Sequence, residues 1–137
     1  MGKDIVRLGM IGCGRRSAAY AGIVKAVPGC QLVAVCDRIP ALVERARKLF
    51  GDPTIRRYTD HRALLEDQDV EAVIVCTEPE YQAELSCEAM NAGKDVFSEV
   101  PAAYNGLEEC WRLVLTVEQT GRRYYLGEQI RHSPLMR

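Results

Sequence analysis

Short apolar runs alternate along this chain with longer segments in which apolar residues recur every three or four positions. The short runs are typical of buried strands, and the longer spacing is typical of helices with one apolar side. The runs predict six strands, at residues 5–11, 31–37, 54–58, 70–77, 94–99 and 122–129. The spaced segments predict helices between them, near residues 16–27, 40–50, 59–67, 79–93 and 105–121.

The same spacing predicts which side of each helix faces the core, because residues three and four apart share one side of a helix. Pro40 suits the first turn of the second helix, and Gly51 suits its C-terminal cap. The first, second and last helices are expected to bury, in that order, Ala19, Ile23 and Val27; Leu42, Ala46 and Leu49; and Leu107, Cys110, Trp111, Val114 and Val117.

The repeated strand–helix order, at about 20 to 30 residues per unit, is typical of parallel strands joined by helical crossovers. We therefore predict the α/β fold class, with a doubly wound parallel sheet of Rossmann type and about six strands. In such sheets, ligands bind beyond the carboxyl ends of the strands. The segments to examine for function are those that follow strands, namely "GCGRRS", "DR", "TEPE", "SEVP" and "GEQ".

Composition narrows the function classes. The formal net charge of -1 gives no global electrostatic reason to expect a nucleic acid or an anionic membrane as partner. The longest apolar runs are too short to cross a bilayer. Six cysteines lie in or beside apolar runs, without a C-x-x-C pair or a Cys/His cluster. This placement favours buried reduced thiols and a cytoplasmic location, and it predicts no metal site.

The loop "GMIGCGRRS" follows the first predicted strand and precedes a helix. Gly12 and Gly14 occupy the first two places of the G-x-G-x-x-G pattern, and Ser17 takes the third. Such a loop lets a diphosphate approach the backbone and the helix N-terminus. Arg15 and Arg16 are expected to add to the phosphate interaction, and the Ser17 hydroxyl to offer a donor. The alternative is a plain tight turn with two solvated arginines.

Asp37 ends the second predicted strand, where a carboxylate can accept hydrogen bonds from an adenosine ribose. An ionised acid there repels a 2′-phosphate, so it favours NAD over NADP. Arg38 follows directly and is a candidate to stack on adenine or to receive that phosphate, which leaves NADP as an alternative cofactor. The competing interpretation of Asp37 is a turn or helix-capping residue before Pro40.

Several motifs in sequence order resemble the Gfo/Idh/MocA family of oxidoreductases: "RLGMIGCGRRS", "LVAVCDR", "YTDHRALLEDQDVEAVIVCTEPEYQAELSCEAMNAGKDVFSEVP" and "TGRRYYLGEQIR". The resemblance implies that residues 1–137 form one NAD(P)-binding Rossmann domain. It also implies that the family's C-terminal substrate domain is absent from this chain. Family members transfer a hydride to or from sugars, inositols and related polyols.

The resemblance further implies a set of residues near the nicotinamide half of the cofactor. Thr77 and Glu99 stand at such positions, Gln129 is expected nearby, and Cys76 and Glu78 flank Thr77 in the cofactor-binding set. Other interpretations are that Thr77 caps a helix, that Glu99 is a solvated strand end, and that Gln129 is an edge residue. No catalytic residue is assigned within this chain.

This sequence departs from the family pattern at three places. Val100 stands where the family's Glu-Lys-Pro motif has lysine, and Gln82 and Tyr20 stand where histidines are common. The two histidines present carry little functional weight in the sequence. His61 is expected on the surface of a short helix, and His132 lies in the tail beyond the sixth strand.

Three hypotheses remain open at this stage. The first is the cofactor-binding domain of an oxidoreductase, inactive as this chain because substrate binding requires a second domain. The second is a non-catalytic dinucleotide-binding module that senses redox state or supports assembly. The third is a domain of the same fold that has lost its ligand. Homo-oligomerisation through an exposed apolar surface is a further expectation.

Overall fold

A computed structural model describes residues 5–130, and the expectation for His132 falls outside that range. Strands and helices alternate strictly along the described chain. The strands are β1 (Val6–Ile11), β2 (Cys30–Cys36), β3 (Arg56–Tyr58), β4 (Ala72–Val75), β5 (Asp95–Ser98) and β6 (Tyr124–Leu126). The helices are α1 (Ser17–Ala26), α2 (Pro40–Phe50), α3 (His61–Glu66), α4 (Pro79–Asn91) and α5 (Leu107–Thr120).

The six strands form one parallel sheet in the order β3-β2-β1-β4-β5-β6. This confirms the predicted doubly wound Rossmann fold. The chain runs outward from β1 to β3 and then crosses back to β4, so the reversal lies between β1 and β4. A crevice opens at the carboxyl ends of such a strand pair, because the following loops turn to opposite faces. The fold therefore positions the loops after β1 and β4 side by side.

Apolar side chains are buried on both faces of the sheet, which explains why the strands are nearly continuous apolar runs. Met10 and Ile74 pack beneath α1 and α2 on one face. Ile11 and Val73 pack on the other face beneath α3, α4 and α5, together with Leu113. Adjacent residues of one strand, such as Met10 and Ile11, therefore pack into the cores on opposite faces of the sheet.

Two helices bury a different side from the one predicted. The predicted α1 residues Ala19, Ile23 and Val27 are exposed. The helix instead buries Ser17, Tyr20, Ala21 and Val24. In α2 the buried residues are Val43, Ala46 and Phe50, so only Ala46 of the predicted set is fully buried. Both helices carry apolar residues on more than one side, and docking onto the sheet selects the side that is covered.

The predicted inward face of α5 is wrong. Leu107, Cys110, Trp111 and Val114 are exposed, and Val117 is partly buried. The helix buries Glu109, Leu113 and Thr116 instead. The Glu109 carboxylate accepts hydrogen bonds from the backbone N–H groups of Tyr104 and Asn105, at 2.7 and 3.0 Å. A buried polar side chain that fastens the preceding loop fixes the rotation of α5, which apolar spacing does not reveal.

All six cysteines are free thiols. The structure buries Cys13, Cys36, Cys76 and Cys87 as expected, whereas Cys30 is partly buried and Cys110 is exposed. Burial is the main reason that the pKa values of Cys13, Cys36 and Cys76 rise from 9.0 to about 12. Buried neutral thiols of this kind behave as small apolar side chains and are poor nucleophiles.

These thiols predict a loss of stability in alkaline solution. Well below pH 9 they are protonated in both folded and unfolded chains, so their contribution is constant. Between about pH 9 and 12 the unfolded chain releases protons that the folded chain retains, and the free energy of unfolding falls by up to about 1.4 kcal/mol per pH unit for each thiol. Urea titrations across this interval measure the slope. Cys13→Ala is expected to reduce it by about a third, and an unchanged slope would contradict the assignment.

Candidate cofactor-binding site

The loop after β1 turns sharply because its first glycine has a backbone that other residues rarely adopt. Gly12 has a φ of +95°, and a Cβ atom there would lie 2.3 Å from the carbonyl oxygen of Cys76. The Gly12 N–H donates to the carbonyl of Cys36 at 2.9 Å, so the turn is fixed against two neighbouring strands. Gly12 therefore shapes the crevice by permitting close contact between the β1 and β4 ends.

The second glycine faces open space. A Cβ atom added at Gly14 would meet no atom within 4 Å, and Gly14 lines the crevice. Helix α1 begins three residues later with no side chain capping its N-terminus. Its first-turn N–H groups and the positive end of the helix dipole are therefore available to an anion. This arrangement can hold a diphosphate against the backbone.

The expected donor role of Ser17 does not fit the structure. Its side chain is 2% exposed and lies outside the crevice lining. The Ser17 hydroxyl donates to the carbonyl oxygen of Gly14 at 2.6 Å, so its proton is already engaged. Ser17 therefore stabilises the glycine loop by a bond within the loop.

Asp37 lies at the end of β2 and fastens two segments at the crevice. Its Oδ2 atom accepts from the Cys13 N–H at 2.8 Å, and its Oδ1 atom accepts from the Ile39 N–H at 2.9 Å. The first bond crosses to the glycine loop, and the second forms a local turn before α2. Each carboxylate oxygen has a further lone pair, so the fixed carboxylate can still accept from sugar hydroxyls. The capping interpretation and the ribose interpretation are therefore compatible.

Glu99, at the end of β5, is 5% exposed, so the solvated interpretation of this residue is wrong. Its Oε1 atom accepts from the Arg16 Nε atom at 2.9 Å and from the Tyr20 hydroxyl, and its Oε2 atom accepts from the Gln129 Nε2 atom at 3.3 Å. Burial, together with this carboxylate, raises the pKa of Tyr20. Glu99 and Gln129 lie outside the crevice lining. Through these contacts they connect the glycine loop to the β5 and β6 ends.

The crevice has a volume of about 500 Å³, within the range of small-molecule sites. Nine of the twelve predicted cofactor-binding residues line it, namely Gly12, Gly14, Arg15, Arg16, Asp37, Arg38, Cys76, Thr77 and Glu78. The structure thus brings together residues that follow β1, β2 and β4. Only Ser17, Glu99 and Gln129 of the predicted set lie outside its lining.

Sequence reasoning missed ten lining residues, which are Ile11, Cys36, Ile39, Thr59, His61, Arg62, Tyr81, Glu84, Leu85 and Glu88. Some of them follow β3 in the segment "TDHR", which ends at the same sheet edge as the other loops and could have been included for that reason. His61, expected on the surface, is partly buried at the crevice, and its Nε2 atom lies 2.6 Å from the Glu88 Oε2 atom. Ile11, Cys36 and Ile39 stand at the ends of β1 and β2 or just before α2. The other four, Tyr81, Glu84, Leu85 and Glu88, lie on α4, whose side toward the crevice only the tertiary structure reveals.

Flat and charged groups are distributed unevenly around the crevice. The Arg38 guanidinium lies 5.7 Å from the centre of the Tyr81 ring, and both groups offer planar surfaces to a base. Arg15 and Arg16 stand at the glycine loop, near the α1 N-terminus. The carboxylates of Glu84 and Glu88 lie on α4, on another side of the crevice lining. The crevice can therefore take an elongated ligand with an anionic centre and a planar end.

Two other kinds of site find no support in residues 5–130. No group of histidine, cysteine and carboxylate side chains among them is arranged to hold a metal ion. None of the described helices combines the length and apolar character that crossing a membrane requires.

The Arg16–Glu99 pair predicts a measurable coupling in cofactor binding. The Glu99 carboxylate fixes the Arg16 guanidinium through Nε, which leaves the two terminal nitrogens for a phosphate. Arg16→Ala is expected to weaken NADH binding about tenfold, and Glu99→Gln about threefold, because the arginine loses its charged anchor. Calorimetric titration of the double variant should show no loss beyond that of Arg16→Ala. If the losses of NADH binding free energy in the two single variants add in the double variant, Glu99 does not act through Arg16.

The chain is similar in sequence and in fold to several known proteins. A Glycosyl hydrolase family 109 protein from a Shewanella species is 34% identical over 95% of this chain, which spans 30% of that relative's length. The WlbA dehydrogenase of Bordetella pertussis, solved with NADH and UDP-GlcNAcA, is 26% identical with a TM-score of 0.88. Its match covers 96% of this chain and 39% of that chain. A mutant of KijD10, a 3-ketoreductase from Actinomadura kijaniata solved with TDP-benzene and NADP, has a TM-score of 0.85. It is 26% identical, with 96% of this chain and 41% of that chain covered.

The match to a family model extends over almost all of the described structure. The model of the Gfo/Idh/MocA oxidoreductases, an oxidoreductase family with an NAD-binding Rossmann fold, matches residues 6–128. That range begins with β1 and ends just after β6, so it contains the whole sheet and all the loops that line the crevice. The chain belongs to the Gfo/Idh/MocA family of oxidoreductases and corresponds to its NAD-binding Rossmann domain.

Proposed function

We propose that residues 1–137 form one domain that binds a nicotinamide dinucleotide in the crevice, with NAD preferred and NADP as the alternative. The observation that carries the proposal is the open space at Gly14 beside the uncapped N-terminus of α1. A backbone without a side chain at this point can approach a diphosphate, and helix N–H groups can neutralise it. Asp37 stands one strand away, held by two backbone N–H groups.

Five of the lining side chains then have a binding role. The α1 N-terminus, Arg15 and Arg16 hold the diphosphate, and Asp37 accepts hydrogen bonds from the adenosine ribose. Arg38 and Tyr81 provide planar surfaces for the adenine. When bound, the nicotinamide supplies the hydride donor or acceptor, and this chain's residues orient the cofactor and exclude water from part of it.

The relatives are longer than this chain, which spans 30% of the length of one of them. We further propose that a longer protein containing this domain transfers a hydride to or from a sugar, an inositol or a related polyol. The solved neighbours of this chain include a dehydrogenase solved with NADH and the sugar nucleotide UDP-GlcNAcA, and a 3-ketoreductase solved with NADP and TDP-benzene. Hydride transfer requires a substrate carbon held against the nicotinamide, and no residue of this chain is assigned to that task. The 137-residue chain is therefore expected to bind cofactor without turnover, and a second domain is expected to bind the substrate.

A glycosidic substrate is a second candidate for the longer protein. The relatives with 32–34% identity carry the name Glycosyl hydrolase family 109 protein. Hydrolysis transfers no net electrons, so such an enzyme would not accumulate NADH in solution, whereas a dehydrogenase would. Absorbance at the NADH band, measured beside release of the sugar, distinguishes the two.

A non-catalytic dinucleotide module is the alternative function of the chain itself. Val100 replaces the family's lysine, and Gln82 is buried. The Gln82 amide donates to the Val100 carbonyl at 3.3 Å and accepts from the Ser98 hydroxyl at 3.1 Å, so it is engaged within the fold. Turnover of any polyol by the 137-residue chain would reject this alternative and also the expectation of inactivity.

The proposal predicts cofactor selectivity that depends on Asp37. Calorimetric titration with NADH and NADPH should show tighter binding of NADH. Asp37→Ala should weaken NADH binding by about 10-fold to 100-fold, because a charged acceptor for the ribose hydroxyls is lost. The affinities for NADH and NADPH should become similar, because the charge that repels the 2′-phosphate disappears as well. Asp52→Ala, which removes a partly exposed acid outside the crevice, is the control and should change neither affinity.

Two outcomes would count against these assignments. A flat titration of the folded wild-type chain with both dinucleotides would reject the binding function and favour a domain that has lost its ligand. An unchanged NADH preference in Asp37→Ala would reject the ribose role while leaving the binding function standing.

A further inference from the structure

Helix α5 presents a row of large apolar side chains to solvent. Leu107 is 76% exposed, Trp111 66%, Leu115 49% and Val114 48%. Their spacing of three, four and eight residues places them on one side of the helix. We name this row the α5 stripe, and no residue of the described range 5–130 covers it. Contiguous apolar surface of this kind marks an interaction site.

We propose that the α5 stripe is a self-association surface, and that its occupant is the same stripe of a second copy of this chain, packed antiparallel across a two-fold axis. In a two-fold interface each contact occurs twice with the residues exchanged. An axis near Cys110 and Trp111 sets Leu107 opposite the partner's Val114 and the two Trp111 side chains against each other. The apolar stripe is thus complementary to itself.

The charges beside the stripe fit the same arrangement. Glu108 and Arg112 are exposed and lie one turn apart on one flank of α5. A two-fold axis between them brings Glu108 to the partner's Arg112, and Arg112 to the partner's Glu108. Antiparallel helix pairs use flanking ion pairs of opposite charge in this way. A flank carrying both signs one turn apart therefore complements itself, as the apolar row does.

The inward side of α5 strengthens the inference. Helix α5 buries Glu109 and Thr116 beside Leu113, while its one tryptophan faces solvent. Tryptophan is the residue type most enriched where interfaces carry their energy, and it is costly to leave exposed. Helix α5 thus exposes its apolar row to solvent and buries a partly polar side. A second copy of the chain packed against the exposed row explains this arrangement.

The size of the stripe sets the expected strength. From Leu107 to Leu115 the helix advances by about 12 Å. A contact of that length lies at the small end of specific interfaces, so we expect a dissociation constant on the order of 10 µM. No residue of α5 lines the crevice. The self-association therefore leaves the cofactor site open and does not depend on the proposed function.

Sedimentation velocity of the 137-residue chain between about 1 and 200 µM tests the proposal directly. We expect a shift from monomer to dimer across this range, with Trp111→Lys and Leu107→Lys remaining monomeric at the highest concentration. Ile23→Lys is the matched control, because Ile23 is a 52% exposed apolar residue on α1, and it should dimerise as the wild type does. Thermal unfolding checks that all variants are folded.

Fluorescence and cross-linking locate the contact. Trp111 is the only tryptophan, so a blue shift of emission on concentration reports burial of the stripe itself. Cys110 is an exposed thiol beside it, and a short bis-maleimide should join two chains through Cys110 but not through Cys110→Ser. A monomer at every concentration, or a dimer that Trp111→Lys leaves intact, would overturn the proposal. In the first case the stripe would be left to an occupant other than a second copy.

Discussion

Gly14→Val is expected to weaken NADH binding about 100-fold while the free energy of unfolding changes little. The open space at Gly14 accepts the new side chain without a clash inside the protein, because no atom lies within 4 Å of the Cβ position. The branched side chain then occupies the space in which the diphosphate would approach the α1 N-terminus. Calorimetric titration with NADH, paired with urea unfolding, measures both effects.

Gly22 provides a matched control for this prediction. It lies in α1, away from the crevice, and a Cβ atom there also meets nothing within 4 Å. Gly22→Val should therefore leave NADH affinity unchanged. Equal losses of NADH affinity in the two variants would indicate a general effect on α1. An unchanged NADH affinity in Gly14→Val would contradict the assignment of the glycine loop to the binding site.

Gly12→Ala is expected to lower the free energy of unfolding by about 3 kcal/mol, from overpacking together with an unfavourable backbone conformation. The added methyl would stand 2.3 Å from the Cys76 carbonyl oxygen, where backbone and not a flexible side chain must move. The effect is on the fold first, because Gly12 joins the ends of β1 and β4. Urea unfolding monitored by circular dichroism measures it.

Gly29 separates the two causes of that loss. It also has a positive φ, of +89°, but a Cβ atom there meets nothing within 4 Å. Gly29→Ala should therefore cost only about 1 kcal/mol, the backbone part alone. Similar losses at Gly12 and Gly29 would show that the contact with Cys76 contributes nothing.

The two glycines of one motif thus have different roles, and the sequence indicated both. Gly12 was expected to permit the turn and Gly14 to admit a diphosphate, and the space around each residue fits that division. The third place of the motif did not follow the expectation. Ser17 is small enough to pack, but its hydroxyl donates to the Gly14 carbonyl oxygen. The sequence pattern does not reveal this local hydrogen bond.

Residues far apart in sequence were harder to assign. His61 was expected on the surface because the short helix around it resembles a solvated segment. The structure places it beside Glu88 and the crevice, since β3 ends at the same sheet edge as β1 and β2. Glu99 was correctly placed at the end of a strand, but its burial against Arg16 and Tyr20 depends on how α1 docks.

Helix orientation was the least predictable feature. In α5 the row Leu107, Trp111 and Val114 has ideal spacing for an inward face, yet it points outward. The spacing reports only that these residues share a side, and the side that meets the sheet was fixed by Glu109 holding the preceding loop. The mismatch between spacing and burial is what identifies the α5 stripe.

The sequence by itself determined the order of strands and helices, the parallel sheet, the glycine loop and the acid after β2. These features depend on local periodicity and on residues adjacent in the chain, which physical preferences of single segments express. Tertiary structure alone decided which helix sides are buried, which charges pair and which residues complete the crevice. Those outcomes depend on contacts between segments distant in sequence, and several alternatives satisfy the same local pattern until packing selects one of them.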